Sequence, residues 1–294
     1  MPETTIKGPV LVTGGTGFLG SHMVDALLEQ GVAVRCLVRK TSNLRWLPED
    51  KIELAYGEIT DRASLDRAMV GIKSVVHSAA ITMTEDHDEY YRVNETGTKD
   101  LVKAAMNHAP DLDRFLLVSS LTAAGPTSRD YARTEEDREE PTSLYGKSKL
   151  AGERALQKIN PPFDWTIVRP GAIYGPRDPA LMKLYGMVEK GSVVRVRGPS
   201  QLVSLIHVSD LVEGLIEALT NPIAVGKLYH QAHPEPITWD DVADYCAEAL
   251  GKRTTKISVP RTLLPAVAKG AGLWASINRR QNPLAKDRLD DLLQ

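Results

Sequence analysis

Three residues of this chain have the types and spacing for proton chemistry at an oxygen: Ser120, Tyr145 and Lys149. Tyr145 and Lys149 stand four apart in YGKSK, so on a helix they share one face. A tyrosine ordinarily titrates near 10, too high to shuttle protons well at neutral pH. A lysine ammonium one turn away favours the phenolate and brings that value down. The pair can then act as acid or base on a carbonyl or an alcohol, while a serine hydroxyl holds the same oxygen. A Tyr–Lys pair at this spacing is common by chance, so its weight depends on what accompanies it. Cys36 and Cys246 lie far apart, with no C-x-x-C and no histidine cluster, so neither a metal site nor a disulfide framework is expected.

What accompanies it is a phosphate cradle. In VLVTGGTGFLG, Val10–Thr13 reads as a buried strand, and Gly14, Gly17 and Gly20 follow at G-x-x-G-x-x-G spacing before a helical run over Ser21–Gln30 closed by Gly31. Strand, glycine turn and helix in this order let a pyrophosphate approach the backbone and meet free helix N–H groups, so Gly14, Thr16, Gly17, Phe18, Leu19 and Gly20 are candidate cofactor contacts. At the end of the second strand a carboxylate would hold the ribose 2′-hydroxyl of NAD, whereas basic residues accommodate the extra phosphate of NADP. This chain offers Arg39 and Lys40 there and no acid between Ala33 and Asn43, which favours NADP, with NAD the other candidate. Glu58 and Ile59 follow the third strand, where they can meet an adenine amine and its ring. In HSAA, Ser78, Ala79 and Ala80 follow the fourth with small side chains that let the backbone pass a cofactor. His77 has no partner at nucleophile or metal spacing and reads as a structural, hydrogen-bonded histidine.

The elements that must position these groups are strands at Val10–Thr13, Ala33–Val38, Ile52–Tyr56, Ser74–His77, Phe115–Ser119, Trp165–Arg169 and Lys227–Gln231. Helical patterns near Ser21–Gln30, Ser64–Met69, Tyr90–Asn107 and Tyr145–Asn160 alternate with them, and Val208–Thr220 and Thr238–Gly251 follow, the latter capped by Thr238 or Asp240. Such alternation builds right-handed βαβ crossovers, so the expected fold is α/β, a Rossmann-type doubly wound parallel sheet with a smaller C-terminal substrate-binding lobe. Residues 1–169 form the expected NADP-binding domain, with a strand and helix returning from about 205–232, and 170–204 with 235–294 the substrate lobe. Within Pro126–Ser143, a polar loop between two catalytic elements, the charge run Arg133–Glu140 reads as solvated surface.

The 294 residues suffice for a full core, and 42% hydrophobic with 25% charged residues is ordinary for a soluble globular chain. A net charge of −2 supplies no field for a polyanion, so nucleic acid is not an expected partner. MPETTIKG carries no long apolar run, so no signal peptide and a cytoplasmic location are expected. Leu263–Ile277 is broken by Pro265, Lys269 and two glycines; it is too short to span a bilayer and reads as an amphipathic helix over the substrate pocket.

The chain resembles an extended short-chain dehydrogenase/reductase of the NAD-dependent epimerase/dehydratase superfamily. The motifs that carry this, in order, are TGGTGFLG, HSAA, VNETGT (Val93–Thr98), the Ser120 strand, YGKSK, RPGAIYGPRD (Arg169–Asp178) and LIHVSDLVEG (Leu205–Gly214). VRCLVRKTSN, SSLTAAGP and VPRTLLP are similar to the branch of 3β-hydroxysteroid dehydrogenases, dihydroflavonol reductases and hopanoid-associated epimerase-like proteins. The resemblance implies Tyr145 as proton donor/acceptor, Lys149 on the nicotinamide ribose and Ser120 on the reacting oxygen. It also implies Thr122 as a neighbouring hydroxyl, Asn94 as a structural residue near the site, and Pro170, Ala172 and Ile173 beside the nicotinamide. The family commonly forms a homodimer through the helices at 90–107 and 145–160.

Departures narrow the chemistry. Leu121 and Thr122 follow Ser120 where dehydratases place an Asp-Glu pair, and Ala172 stands where nucleotide-sugar epimerases usually present an Asn. Leu202–Ser204 offers no arginine for a diphosphate, although Arg177, Arg195 and Arg197 lie near, Arg177 being a candidate substrate contact. The end at Gln294 is earlier than is typical of the branch, so a compact protein and a cut end both stay open. The expected function is an NADP-dependent oxidoreductase interconverting a secondary alcohol and a ketone or aldehyde on a fairly apolar small molecule. The alternatives are a sugar or nucleotide-sugar epimerase with transient hydride transfer, and a non-catalytic NADP-sensing regulator.

Overall fold

The structure is a computed structural model that describes residues 6–128, 131–196, 198 and 202–260. Its strands are β1 (Val10–Thr13), β2 (Val34–Val38), β3 (Glu53–Tyr56), β4 (Ser74–His77), β5 (Arg114–Val118), β6 (Asp164–Pro170), β7 (Ala172–Tyr174), β8 (Ser192–Val196), β9 (Leu202–Val203), β10 (Leu205–His207), β11 (Lys227–Gln231), β12 (Ile237–Thr238) and β13 (Thr255–Val259). Seven of them form one parallel sheet in the order β11-β6-β5-β4-β1-β2-β3. The order reverses direction between β1 and β4, the switch point at which doubly wound sheets open a crevice for ligands.

Side-chain alternation in these strands explains the layers. Val10, Val12, Val34, Cys36, Val38, Leu116, Val118 and Val168 face a core filled by Met23, Val24 and Leu27 of α1 (Phe18–Glu29) and by Leu211, Val212, Leu215 and Leu219 from the later helix α7 (Val208–Thr220). Leu11, Leu37, Val75, Phe115, Leu117 and Ile167 point the other way. They meet α2 (Arg62–Met69), α4 (Gly97–His108) and α5 (Leu144–Ile159) through Leu65, Met69, Leu101, Val102, Ala105 and Leu156. Both faces of the sheet are therefore covered, which is why its strands read as continuous apolar runs.

The helix expected at Tyr90–Asn107 is divided. α3 (His87–Tyr91) passes through a π-turn at Arg92–Thr96 before α4 begins. Residues 170–204 carry more structure than their irregular pattern suggests. They hold β7, α6 (Pro179–Glu189) and β8, and β7 pairs with β10 while β8 pairs with β13. α6 packs on α8 (Trp239–Ala249) around Val188, Val193, Val242, Ala243 and Cys246, a third and smaller core. Thr238 caps α8 in a box with Asp241. No helix among the described residues is long and apolar enough to cross a membrane. The apolar stretch expected at Leu263–Ile277 and Arg197 lie outside the described residues.

Candidate active site

The glycine turn sits at the carboxyl end of β1. Gly14 takes φ +77°, the left-handed region, and a Cβ there would lie 2.7 Å from Ala79 N. The β1 turn thus presses on the Ser78–Ala80 segment that follows β4, and Ser78 Oγ donates to the Thr13 carbonyl at 2.8 Å. α1 then follows its N-cap Gly17, with no side-chain cap and no acid in its first turn. Its leading N–H groups and its dipole therefore face outward, and the cradle fits a pyrophosphate. Arg39 and Lys40 are exposed just past β2, where the Arg39 backbone N–H donates to Ser42 Oγ at 3.1 Å. Glu58 is exposed after β3, while Ile59 lies half-buried against Gly97 at the start of α4.

The segments that carry the hydroxyl, the phenol and the amine meet where β5 ends and α5 begins. Ser120 follows β5, and its Oγ lies 3.2 Å from Thr122 N and 2.9 Å from Thr122 Oγ1, both donating to it. Thr122 belongs to a single helical turn, Leu121–Ala123. That turn touches the first turn of α5 so closely that a Cβ on Gly146 would lie 2.4 Å from the Thr122 carbonyl oxygen. Ser143 caps α5 by accepting from Gly146 N at 3.1 Å. Tyr145 is thereby set in the first turn beside Ser120's segment, its ring 6.5 Å from that of buried Tyr90. Lys149 is buried one turn on, and its Nζ donates to the Val118 carbonyl at 2.8 Å. Burial lowers the lysine to about 8 against an opposing pull from Glu153.

The π-turn has a specific product. It directs Asn94 inward, where its amide accepts from Ile81 N (2.9 Å) and donates to the Ile81 carbonyl (3.0 Å) and to Ser148 Oγ (2.9 Å). Ser148 donates onward to the Tyr145 carbonyl at 2.7 Å, so Asn94 ties the segment after β4 to the start of α5.

His77 is fully enclosed between Thr13 Oγ1, 2.7 Å from Nδ1, and Thr98 Oγ1, 3.0 Å from Nε2. Burial, reinforced by the Lys149 charge, lowers it to about 3. The unfolded chain therefore binds a proton between about pH 6.5 and 3 that the folded chain refuses. Stability falls as pH drops through this window, by about 1.4 kcal/mol per pH unit at full effect. Urea midpoints measured from pH 7 to 5 are expected to show this slope in the wild type and a flatter one in His77→Gln.

Arg177, the candidate substrate contact, takes φ +71° and pairs with Asp25 of α1 at 2.8 Å, and beside it His22 of α1 contacts the Pro176 carbonyl at 2.9 Å. The charge run is also not simply solvated. Glu139 accepts from buried Arg169 at 3.2 Å, and Glu135 accepts from His230 N at 2.7 Å, because the loop between Ser120 and Tyr145 folds back over β6 and β11. Pro170 ends β6, and Ala172 and Ile173 begin β7, held by Ala172 N on the Ser204 carbonyl at 2.8 Å. Sequence reading missed Glu153, although it extends the Tyr145–Lys149 stripe by another four residues.

A dinucleotide cradle beside a Ser–Tyr–Lys constellation on a doubly wound sheet defines an NAD(P)-dependent enzyme acting at a carbon–oxygen bond. The chain belongs to the NAD dependent epimerase/dehydratase family, whose model matches residues 10–230. It is 28% identical to a ceramide reductase of Caulobacter vibrioides over 99% of this chain and 86% of that one. A 3β-hydroxysteroid dehydrogenase/Δ5→4-isomerase of Mycobacterium tuberculosis is 30% identical over 97% and 82%. Among solved structures, the UDP-glucose 4-epimerase of Thermus thermophilus in complex with NAD superposes with a TM-score of 0.76 at 27% identity, over 85% of this chain and 86% of that one.

Proposed function

We propose that this enzyme is an NADP-linked oxidoreductase that interconverts a secondary alcohol and a ketone or aldehyde on a fairly apolar small molecule. The observation that carries the reading is Lys149, desolvated and fixed on the Val118 carbonyl one turn from Tyr145. A cation so placed favours the Tyr145 phenolate, and in reduction Tyr145 donates its proton to the nascent alkoxide. Ser120 Oγ accepts from both Thr122 donors, which leaves its own O–H free to hold the substrate oxygen. The nicotinamide supplies hydride exchange when bound. Residues 170–204 and 235 onward are taken as the substrate lobe, supported by their separate core.

Relatives named for ceramide and for 3β-hydroxysteroids support an apolar substrate. The epimerase neighbour supports a second reading, nucleotide-sugar epimerisation, which the engagement of Arg177 by Asp25 weakens. A thermal-shift screen with NADPH present, across sterols, flavonoids, short aldehydes and nucleotide sugars, finds ligands through their mass-action stabilisation. Net NADPH oxidation with an apolar ketone is the expected result, and interconversion of sugars with no net cofactor turnover rejects the proposal.

The cofactor preference rests on Arg39 and Lys40 and the absence of a carboxylate beside them. Arg39→Ala is expected to weaken NADPH binding by about 10- to 100-fold, the worth of a charge-assisted hydrogen bond, and to leave NADH unchanged. Tighter binding of NADH, indifferent to this substitution, overturns the preference. The two free, buried cysteines suit a reducing compartment, and we place the protein in the cytoplasm. Sedimentation measures the homodimer that the same reading includes.

A further inference from the structure

We propose that Glu153 is a positioning residue for Lys149: its carboxylate, buried one helical turn behind the lysine and clamped by Ser119 and Arg169, sets the lysine's charge and so the pH range over which Tyr145 works. The proposal rests on the reading of Lys149 as the partner of Tyr145.

Glu153 is 1% exposed and follows Lys149 at i,i+4 on α5. Its Oε1 accepts from Ser119 Oγ and from Arg169 Nε at 2.9 Å, and its Oε2 accepts from an Arg169 terminal nitrogen at 2.6 Å. With these donors on it the carboxylate is held in place. Ser119 immediately precedes Ser120, so one anion fixes both the strand end that carries the serine and the helix that carries Tyr145 and Lys149.

Among the described residues no carboxylate forms an ion pair with Lys149; its hydrogen bond runs to a neutral carbonyl. Burial drives it towards the neutral amine, and the field of Glu153 opposes that. Other charged and titratable groups surround the pair. Arg169 on β6 is 1% exposed and is shared with Glu139 of the 126–143 loop, which also reaches Arg154 at 3.7 Å. His230 on β11 lies 3.4 Å from Arg169, and burial pushes it below the ordinary imidazole range. Glu135 holds the backbone of His230. His77 on β4 is neutral across the working range and adds no charge beside Lys149. Glu153 is therefore the anion whose removal exposes Lys149 to burial unopposed.

The test is the titration of Lys149 in the full chain, read from ¹³C-labelled lysine by NMR and assigned by its loss in Lys149→Met. The wild-type midpoint is expected near pH 8. Glu153→Gln is expected to move it down by about one pH unit, a size ordinary for the loss of a nearby opposite charge. Glu153→Gln leaves Arg169 buried beside an uncharged partner, so a second variant is Glu153→Met with Arg169→Met, since apolar replacement of a buried pair is commonly tolerated. It is also expected to lower the midpoint. A midpoint unchanged in either folded variant overturns the proposal, because a role confined to packing α5 on the sheet does not move it. Neither arm needs substrate or cofactor. A lysine that titrates as stated in a protein that turns over no ketone rejects the functional reading and leaves this one standing.

Discussion

If Tyr145 is the proton donor proposed above, Tyr145→Phe is expected to lower kcat by about 10²–10⁴-fold, the usual worth of a positioned general acid/base. The substitution removes one oxygen and keeps the ring that packs near Tyr90. Ser143 still caps α5 and Ser148 still holds the Tyr145 carbonyl, so the helix start is not disturbed. What disappears is the group proposed to exchange the proton. The rate of NADPH oxidation with a ketone found in the ligand screen measures this directly, and full activity in the variant eliminates the mechanism. The wild-type pH profile carries the same information. Lys149 loses its proton near pH 8, and with it goes the charge that favours the phenolate. Phenolate-dependent oxidation therefore fails to keep rising above that pH, and Glu153→Gln brings the plateau to lower pH.

Much of the sheet is legible in the sequence because it is buried on both faces. β1 and β4 match the expected strands at both ends, since Val10–Val12 and Val75–Val76 need only be apolar to be recognised, and the half-buried edge strand β11 matches as well. The π-turn at Arg92–Thr96 is not legible, because it keeps helical spacing on either side and is fixed by tertiary bonds from Asn94 to Ile81 and Ser148. α6 was also hidden. Leu181, Leu184, Tyr185 and Val188 do form a stripe, but Met182 and Met187 remain exposed and blur it, and Asp178 followed by Pro179 reads as a turn before it reads as a cap. β8, β9, β12 and β13 are short pairs whose partners lie dozens of residues away, so no local pattern announces them.

The candidate site divides in the same way. Ser120, Tyr145, Lys149 and the glycine turn are carried by local spacing and can be read from one stretch at a time. Glu153 and Arg169 are recognisable only as a pair, across 16 positions, and in isolation each reads as an ordinary charged residue. The charge run after Pro126 misleads for a related reason. Composition marks it as solvated, but Glu135 and Glu139 find partners on β11 and β6 that only the fold supplies.

Gly17→Ala and Gly20→Ala should separate the glycine that holds a ligand from the glycine that holds the turn. A Cβ on Gly20 would lie 2.1 Å from the Gly14 carbonyl oxygen and 2.6 Å from its carbon, both backbone atoms at the heart of the turn. The turn must open to admit it, so Gly20→Ala is expected to cost about 1–3 kcal/mol of stability, as overpacking does, and to lose cofactor binding with it. A Cβ on Gly17 meets a single protein atom within 4 Å, the Gly14 oxygen at 3.2 Å, and otherwise points into open space at the start of α1. Its stability effect is therefore expected to stay within about 0.5 kcal/mol. That open space is where the pyrophosphate is proposed to approach the N–H groups of α1, so Gly17→Ala is expected still to weaken dinucleotide binding at least tenfold, a difference of about 1.4 kcal/mol. Denaturant midpoints and NADPH titrations on the two variants decide it. A Gly17→Ala protein that is stable and binds NADPH as the wild type does would show that the phosphate lies elsewhere, whatever Gly20→Ala does to the fold.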